Sequence, residues 1–203
     1  MRYFVDTKQR LAIEILLVFV APILLLHMGW VPLSYRLPVL MLVVVFIVLI
    51  VVREKWTLHD LGFRRITTRG LVLYASATIV GVVCVWLYAR GLPIEPPKGE
   101  NFIIRLLLTF IPISFFQEFL YRGFLMHMLE KVYDDRTTIL LYNATLFAIL
   151  HSIYPFPLAT FPLVFLGGMF FAVLYMKEQN LFLVTLSHAV LNFTALALGL
   201  FFV

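Results

Sequence analysis

From position 137 to position 176 the chain carries no Asp, Glu, Lys or Arg. A helix on the surface of a soluble protein needs a polar face, so a stretch this long without charge calls for apolar surroundings on every side. Further apolar runs occupy positions 11–28, 39–52, 71–89, 102 onward and 181–203, most of them near the roughly 17 to 25 residues of a spanning helix. With 63% hydrophobic and 13% charged residues over 203 positions, there is too little polar surface to coat a soluble globule. No alternating ten-residue pattern suggests a barrel. The expected fold is all-α: a polytopic transmembrane helical bundle of about seven spans, six to eight, in a single domain over 1–203 whose motif-bearing core covers about 102–193.

The breaks between runs set the topology. A Pro-rich turn at 29–38 separates the first two spans, and 53–69 holds Arg53, Lys55, Arg64, Arg65 and Arg69, the densest basic cluster in the chain. That loop reads as cytoplasmic, with Trp56 and the residues after it suited to a short interfacial helix. The fourth helical pattern runs from about 102 to 133, roughly 45 Å of helix against a hydrocarbon layer of about 30 Å. It has to tilt, kink at Pro112 or project into the cytoplasm. Tyr154-Pro155-Phe156-Pro157 divides the charge-free stretch into spans five and six, and Lys177, Glu178 and Asn180 mark a tight loop before span seven. Gly167 and Gly168 in span six permit close helix approach. Glu14, one turn inside the first run, can reach back toward Arg10.

With the N-terminus in the cytoplasm, only Arg36, Arg90, Lys98 and Arg105 among the basic residues fall outside, as the distribution of positive charge in membrane proteins requires. The net charge of +5 is therefore a matter of topology, and nucleic acid is not an expected partner. Cys84 is the single cysteine, so no intrachain disulfide exists.

A few polar residues interrupt the apolar pattern in the C-terminal half. Glu118 and Arg122 lie four residues apart, on one face of a helix, while Gln117 points about 100° away. His151 ends span five, and His188 with Asn192 forms a second four-residue pair in span seven. Charged and strongly polar groups within a membrane face the bundle interior or a water-filled cavity, so these positions are expected to converge on one polar intramembrane cavity. A carboxylate and an imidazole together can activate water, and a His–Asn pair can stabilise the oxyanion of a peptide bond under attack. Ser114 and Ser187 have no base at motif spacing, which leaves activated water as the nucleophile. The rival chemistry is a zinc centre formed by Glu118, His151 and His188, although no His-Glu-x-x-His string is present and Arg122 disfavours a cation beside the carboxylate. A transporter would show inverted repeats, and no internal symmetry relates the two halves. His27, His59 and His127 stand outside these patterns.

These strings resemble the CAAX-protease and bacteriocin-processing family of intramembrane endopeptidases, the ABI family. Its pattern is Glu-Glu-x-x-x-Arg, Phe-x-x-x-His and His-x-x-x-Asn, in that order. Here Gln117-Glu118-Phe119-Leu120-Tyr121-Arg122, then Phe147 with His151, then His188 with Asn192 fill it, and Leu61-Gly62-Phe63-Arg64-Arg65 is similar to the family's cytoplasmic loop. The resemblance implies a glutamate-dependent peptidase with no required cofactor, acting on a peptide or protein substrate, lipidated or not, at the bilayer. It assigns the first Glu and first His to activating water, and the last His and Asn to the oxyanion. Gln117 stands at the first-Glu position, and an amide cannot take a proton from water at neutral pH. Three readings stay open: a Glu-to-Gln exchange that traps substrate, Glu118 acting as base, or a protein that binds a partner without cutting it, as in bacteriocin immunity or signalling regulation. So short a chain reads as bacterial, placed in the cytoplasmic membrane.

Overall fold

The structure, a computed structural model, describes residues 7–94, 104, 108, 110–152 and 161–200. Every regular element among them is helical. The first helical run combines α1 (Thr7–Ile15), a π-helical stretch (Leu16–Val20) and α2 (Ala21–His27). It is followed by α3 (Arg36–Arg53) and α4 (Thr68–Arg90). A second continuous run comprises α5 (Ile111–Glu118), a π-helical stretch (Phe119–Leu125) and α6 (Met126–Glu130). The last three helices are α7 (Arg136–His151), α8 (Phe161–Lys177) and α9 (Leu181–Ala197).

Two of these, α3 and α4, are long and apolar enough to cross a membrane; 12–27, α8 and α9 are shorter apolar helices. The expected helices at 11–28, 39–52 and 71–89 are present, each extended by a few residues. The Tyr154-Pro155-Phe156-Pro157 break and much of the 90–101 loop lie outside the described residues.

α3 and α4 wear their apolar side chains outward. Leu42, Leu49 and Val52 on α3, and Val72, Ile79 and Val80 on α4, are well exposed. A contiguous apolar surface of this kind needs an apolar solvent. The buried side chains gather instead around the second helical run and α7 to α9, including Leu125, Met126, Leu129, Ala148, Ala172 and Val184. Helix α9 is the hub: it packs against α4, α5 and α8, while α7 pairs with α8.

Polar caps collect at one end. Thr67 caps α4 by accepting from Gly70 N at 2.9 Å, Asp135 caps α7 by accepting from Thr138 N at 2.8 Å, and Asn180 caps α9 by accepting from Leu183 N at 3.1 Å. Each satisfies amides that the first helical turn leaves open. The loops there are stitched together, with Asn180 donating to Arg64 O (2.9 Å), Thr67 Oγ1 donating to Glu178 (2.9 Å), and Arg64 bonding Gln179. Gly62, at φ +82°, has Tyr175 where a Cβ would stand, and its carbonyl accepts from Leu181 N at 2.8 Å. Arg10 pairs with Glu14 (2.9 Å), as expected, and also reaches Glu54 at 2.6 Å.

Two local expectations need correcting. Residues after Trp56 form turns, not an interfacial helix. Thr57 N and Oγ1 both donate to Asp60 Oδ2 at 2.7 Å, giving the backbone a local alternative to helical bonding. The fourth helix also ends at Glu130, and its visible irregularity is the π-helical stretch from Phe119. Asn143 from α7 donates to Tyr121 O there at 2.7 Å, and Tyr121 Oη donates to Leu146 O at 3.1 Å.

Candidate active site

Glu118 ends α5, Arg122 sits inside the following π-helical stretch, and both are fully buried. The four-residue spacing brings Arg122 Nη1 to 3.3 Å from Glu118 Oε1, and Nε to 3.2 Å from Oε2. The second approach is close but out of line for a hydrogen bond. Burying two charges costs several kcal/mol per ion, repaid only when further partners complete the pair. Here they do. Arg122 Nη2 donates to Gly168 O on α8 at 2.8 Å, and its guanidinium lies 4.7 Å from the Phe147 ring centre and 5.6 Å from that of Phe171, within cation–π range. On the other side, Glu118 Oε1 meets His188 Nδ1 of α9 at 2.6 Å.

His151 and Asn192 complete the second half of the pattern. His151 Nδ1 lies 2.8 Å from Phe147 O, one turn back on α7. Since a carbonyl only accepts, Nδ1 carries a proton. Asn192 Nδ2 donates to Ser114 Oγ on α5 at 3.3 Å. Phe147 stands at the centre: its ring centre is 4.6 Å from that of His151 and 5.6 Å from that of His188. The ring of Phe171 lies 4.8 Å from His188 on its other flank.

Gln117 faces away from the other polar positions, as the angle between neighbouring residues on a helix requires. His151, His188 and Asn192 line a cavity of about 300 Å³ with Cys84 and Val85 of α4 and Leu163 and Gly167 of α8. Its walls are mainly apolar, with these three polar groups set into them. Gln117 lines a second cavity, of about 270 Å³, with Phe19, Ile23, Leu40 and Tyr121. Adjacent residues on a helix diverge by about 100°. That angle sends the Gln117 amide toward the first helical run and the Glu118 carboxylate toward α9. Gln117 Oε1 has no hydrogen-bond partner among the described residues. The three-ligand zinc centre is also not formed: no group of three His, Cys, Asp or Glu among the described residues is arranged to hold a metal ion. His188 Nδ1 is engaged with Glu118, and Arg122 faces both carboxylate oxygens.

Residues 99–194 match the family described as Type II CAAX prenyl endopeptidase Rce1-like. This segment is similar to an Rce1-like domain. It spans the whole constellation and agrees with the resemblance carried by the three short strings. The matched family is one of prenyl endopeptidases, and the outward apolar faces of α3 and α4 fit a membrane protein. No curated protein and no solved structure matches the chain.

Several members of the constellation escape sequence reasoning. Ser114 lies one turn before Glu118, a spacing that could have drawn notice to it as a partner rather than a nucleophile. The Gly168 carbonyl and the Phe171 ring leave no mark in sequence, because their roles depend on how α8 docks. His127 packs edge-on to Trp56, ring centres 4.3 Å apart.

Proposed function

We propose that this protein is an intramembrane endopeptidase that hydrolyses a peptide bond of a membrane-associated polypeptide with activated water. The observation that carries the reading is the buried Glu118–His188 contact of 2.6 Å, backed by Arg122. Glu118 fixes which nitrogen of His188 faces inward, so Nε2 is directed away from the carboxylate. As an imidazolium, with Nδ1–H donated to Glu118 and its charge balanced by that carboxylate, His188 also carries a proton on Nε2. It donates that proton to an oxyanion in a hydrogen bond, with Asn192 one turn along as its companion. His151 lines the same cavity and in this reading takes the proton from water. Attack of that water on the scissile carbonyl forms a tetrahedral oxyanion, and the proton held by His151 passes to the departing amine.

In this reading Gln117 contributes no proton transfer, and Glu118 and Arg122 act through His188 as positioning residues. The proposal extends to seven spans, with the N-terminus in the cytoplasm of a bacterium. The test is cleavage of quenched-fluorescent peptides, with and without a farnesylated C-terminal cysteine, by protein in lipid nanodiscs. His151→Ala and His188→Ala are each expected to lower kcat by about 10²- to 10⁴-fold. Activity indifferent to both Gln117→Glu and Glu118→Gln would remove the glutamate from the mechanism.

The amide at 117 favours a second reading, a membrane protein that binds a polypeptide partner without cutting it. Capture of the peptides by wild type and Gln117→Glu alike, with no cleavage by either, would select it.

A further inference from the structure

Gly167 and Gly168 are neighbours on α8, yet they face different surroundings. A Cβ added at Gly168 would stand 3.0 Å from Phe147 Cδ1 and 3.2 Å from Ala144 Cα, so that glycine lets α7 and α8 close up and brings its carbonyl to Arg122. A Cβ added at Gly167 would meet nothing within 4 Å. Close packing therefore does not account for the second glycine. Gly167 lines the cavity that holds His151, His188 and Asn192, and its missing side chain is part of that cavity's free volume.

The cavity has a direction. Its polar groups come from α7 and α9, while its apolar wall is built by α4 and α8 from Val80, Cys84, Leu163 and Leu166. Val80, Cys84 and Leu166 are exposed, so on this side the cavity borders the apolar solvent around α4. At about 300 Å³ it lies at the small end of ligand pockets. That is room for an apolar side chain with the backbone beside it.

We propose that Gly167 is a specificity-determining residue: the space left by its absent side chain receives the apolar side chain of the substrate residue next to the scissile bond. The inference rests on the peptidase reading for the identity of the ligand, but it concerns binding and can be tested without cleavage. A Cβ added at 167 displaces no protein atom and takes volume from the cavity, so the effect on a ligand grows with the size of both groups. An alanine removes little of the cavity that Gly167 shares with Cys84 and Val80, and a leucine removes more.

Cys84 supplies the readout, being the chain's single cysteine and lining the same cavity. Protein in nanodiscs is alkylated with N-ethylmaleimide in the presence of two apolar hexapeptides that differ only in carrying Ala or Phe at the central position. Both are expected to slow alkylation of the wild type. In Gly167→Leu, protection by the Phe peptide is expected to need at least about ten times more peptide, with protection by the Ala peptide changed less than about threefold. Gly167→Ala should give a smaller shift in the same order, and it keeps the test valid if the leucine variant does not fold. Peptides that protect Cys84 but are never cut would uphold this inference while ending the peptidase reading. Equal protection by both peptides in Gly167→Leu, or no protection of the wild type by either, would overturn it.

Discussion

Gln117 and Glu118 are consecutive, similar in size and both buried, yet the molecule treats them in opposite ways. The Glu118 carboxylate contacts Arg122 and His188, and Arg122 is anchored in turn by Gly168 O and two aromatic rings. The Gln117 amide faces a different cavity, and its carbonyl oxygen has no partner among the described residues. One residue is the centre of a network spanning three helices, while the other is a polar tip in an apolar wall. A charge buried in a bundle must be over-determined by its neighbours; a neutral amide can be left partly unmet at a cost of only about 1–3 kcal/mol.

The most severe way to break this contrast is Arg122→Met, which leaves Glu118 buried without its counter-charge. Unfolding in mild detergent should show a loss of about 3–5 kcal/mol. Adding Glu118→Leu should restore part of that loss, because an apolar pair of similar volume escapes the desolvation of both ions. A double variant less stable than Arg122→Met alone would show that the carboxylate is held chiefly by His188.

A milder test leaves the charges alone and moves the helix that anchors them. Gly168→Ala forces a methyl against Phe147 and the Ala144 backbone, with an expected cost of about 1–3 kcal/mol from overpacking. Gly167→Ala, one residue away, should change the melting temperature by no more than a degree or two, since its methyl enters open space.

The smallest effect belongs to the other side of the comparison. Gln117→Leu removes an unpartnered buried acceptor, and its stability should lie within about 1 kcal/mol of the wild type by the same unfolding measurement. A larger loss would show that the amide has a structural duty in its own cavity.

Much of this arrangement was legible in the chain. The apolar runs place α3 and α4 to within a few residues, and the four-residue spacing of Glu118 and Arg122 forces them onto one helical face. The same rule reveals that Gln117 diverges, because the angle between neighbours is a property of the helix alone. The turn at Thr57 and Asp60 departs from the expected helix because two bonds to the Asp60 carboxylate outweigh a favourable interfacial composition. Neither the π-helical stretch after Glu118 nor its carbonyl bond to Asn143 has a sequence signature. Both depend on α7 lying alongside.

What the sequence determined by itself was the solvent, the helical class and the identity of the polar residues needing company inside an apolar medium, for these follow from composition and from the fixed period of the helix. Only the tertiary structure decided which partners they received. It paired His188 with Glu118 rather than with His151, set Gln117 on a different cavity from His151, His188 and Asn192, and gave two adjacent glycines different neighbours. The reason is that helix rotation and docking are set by the sum of many weak side-chain contacts across separate segments, which no local pattern encodes.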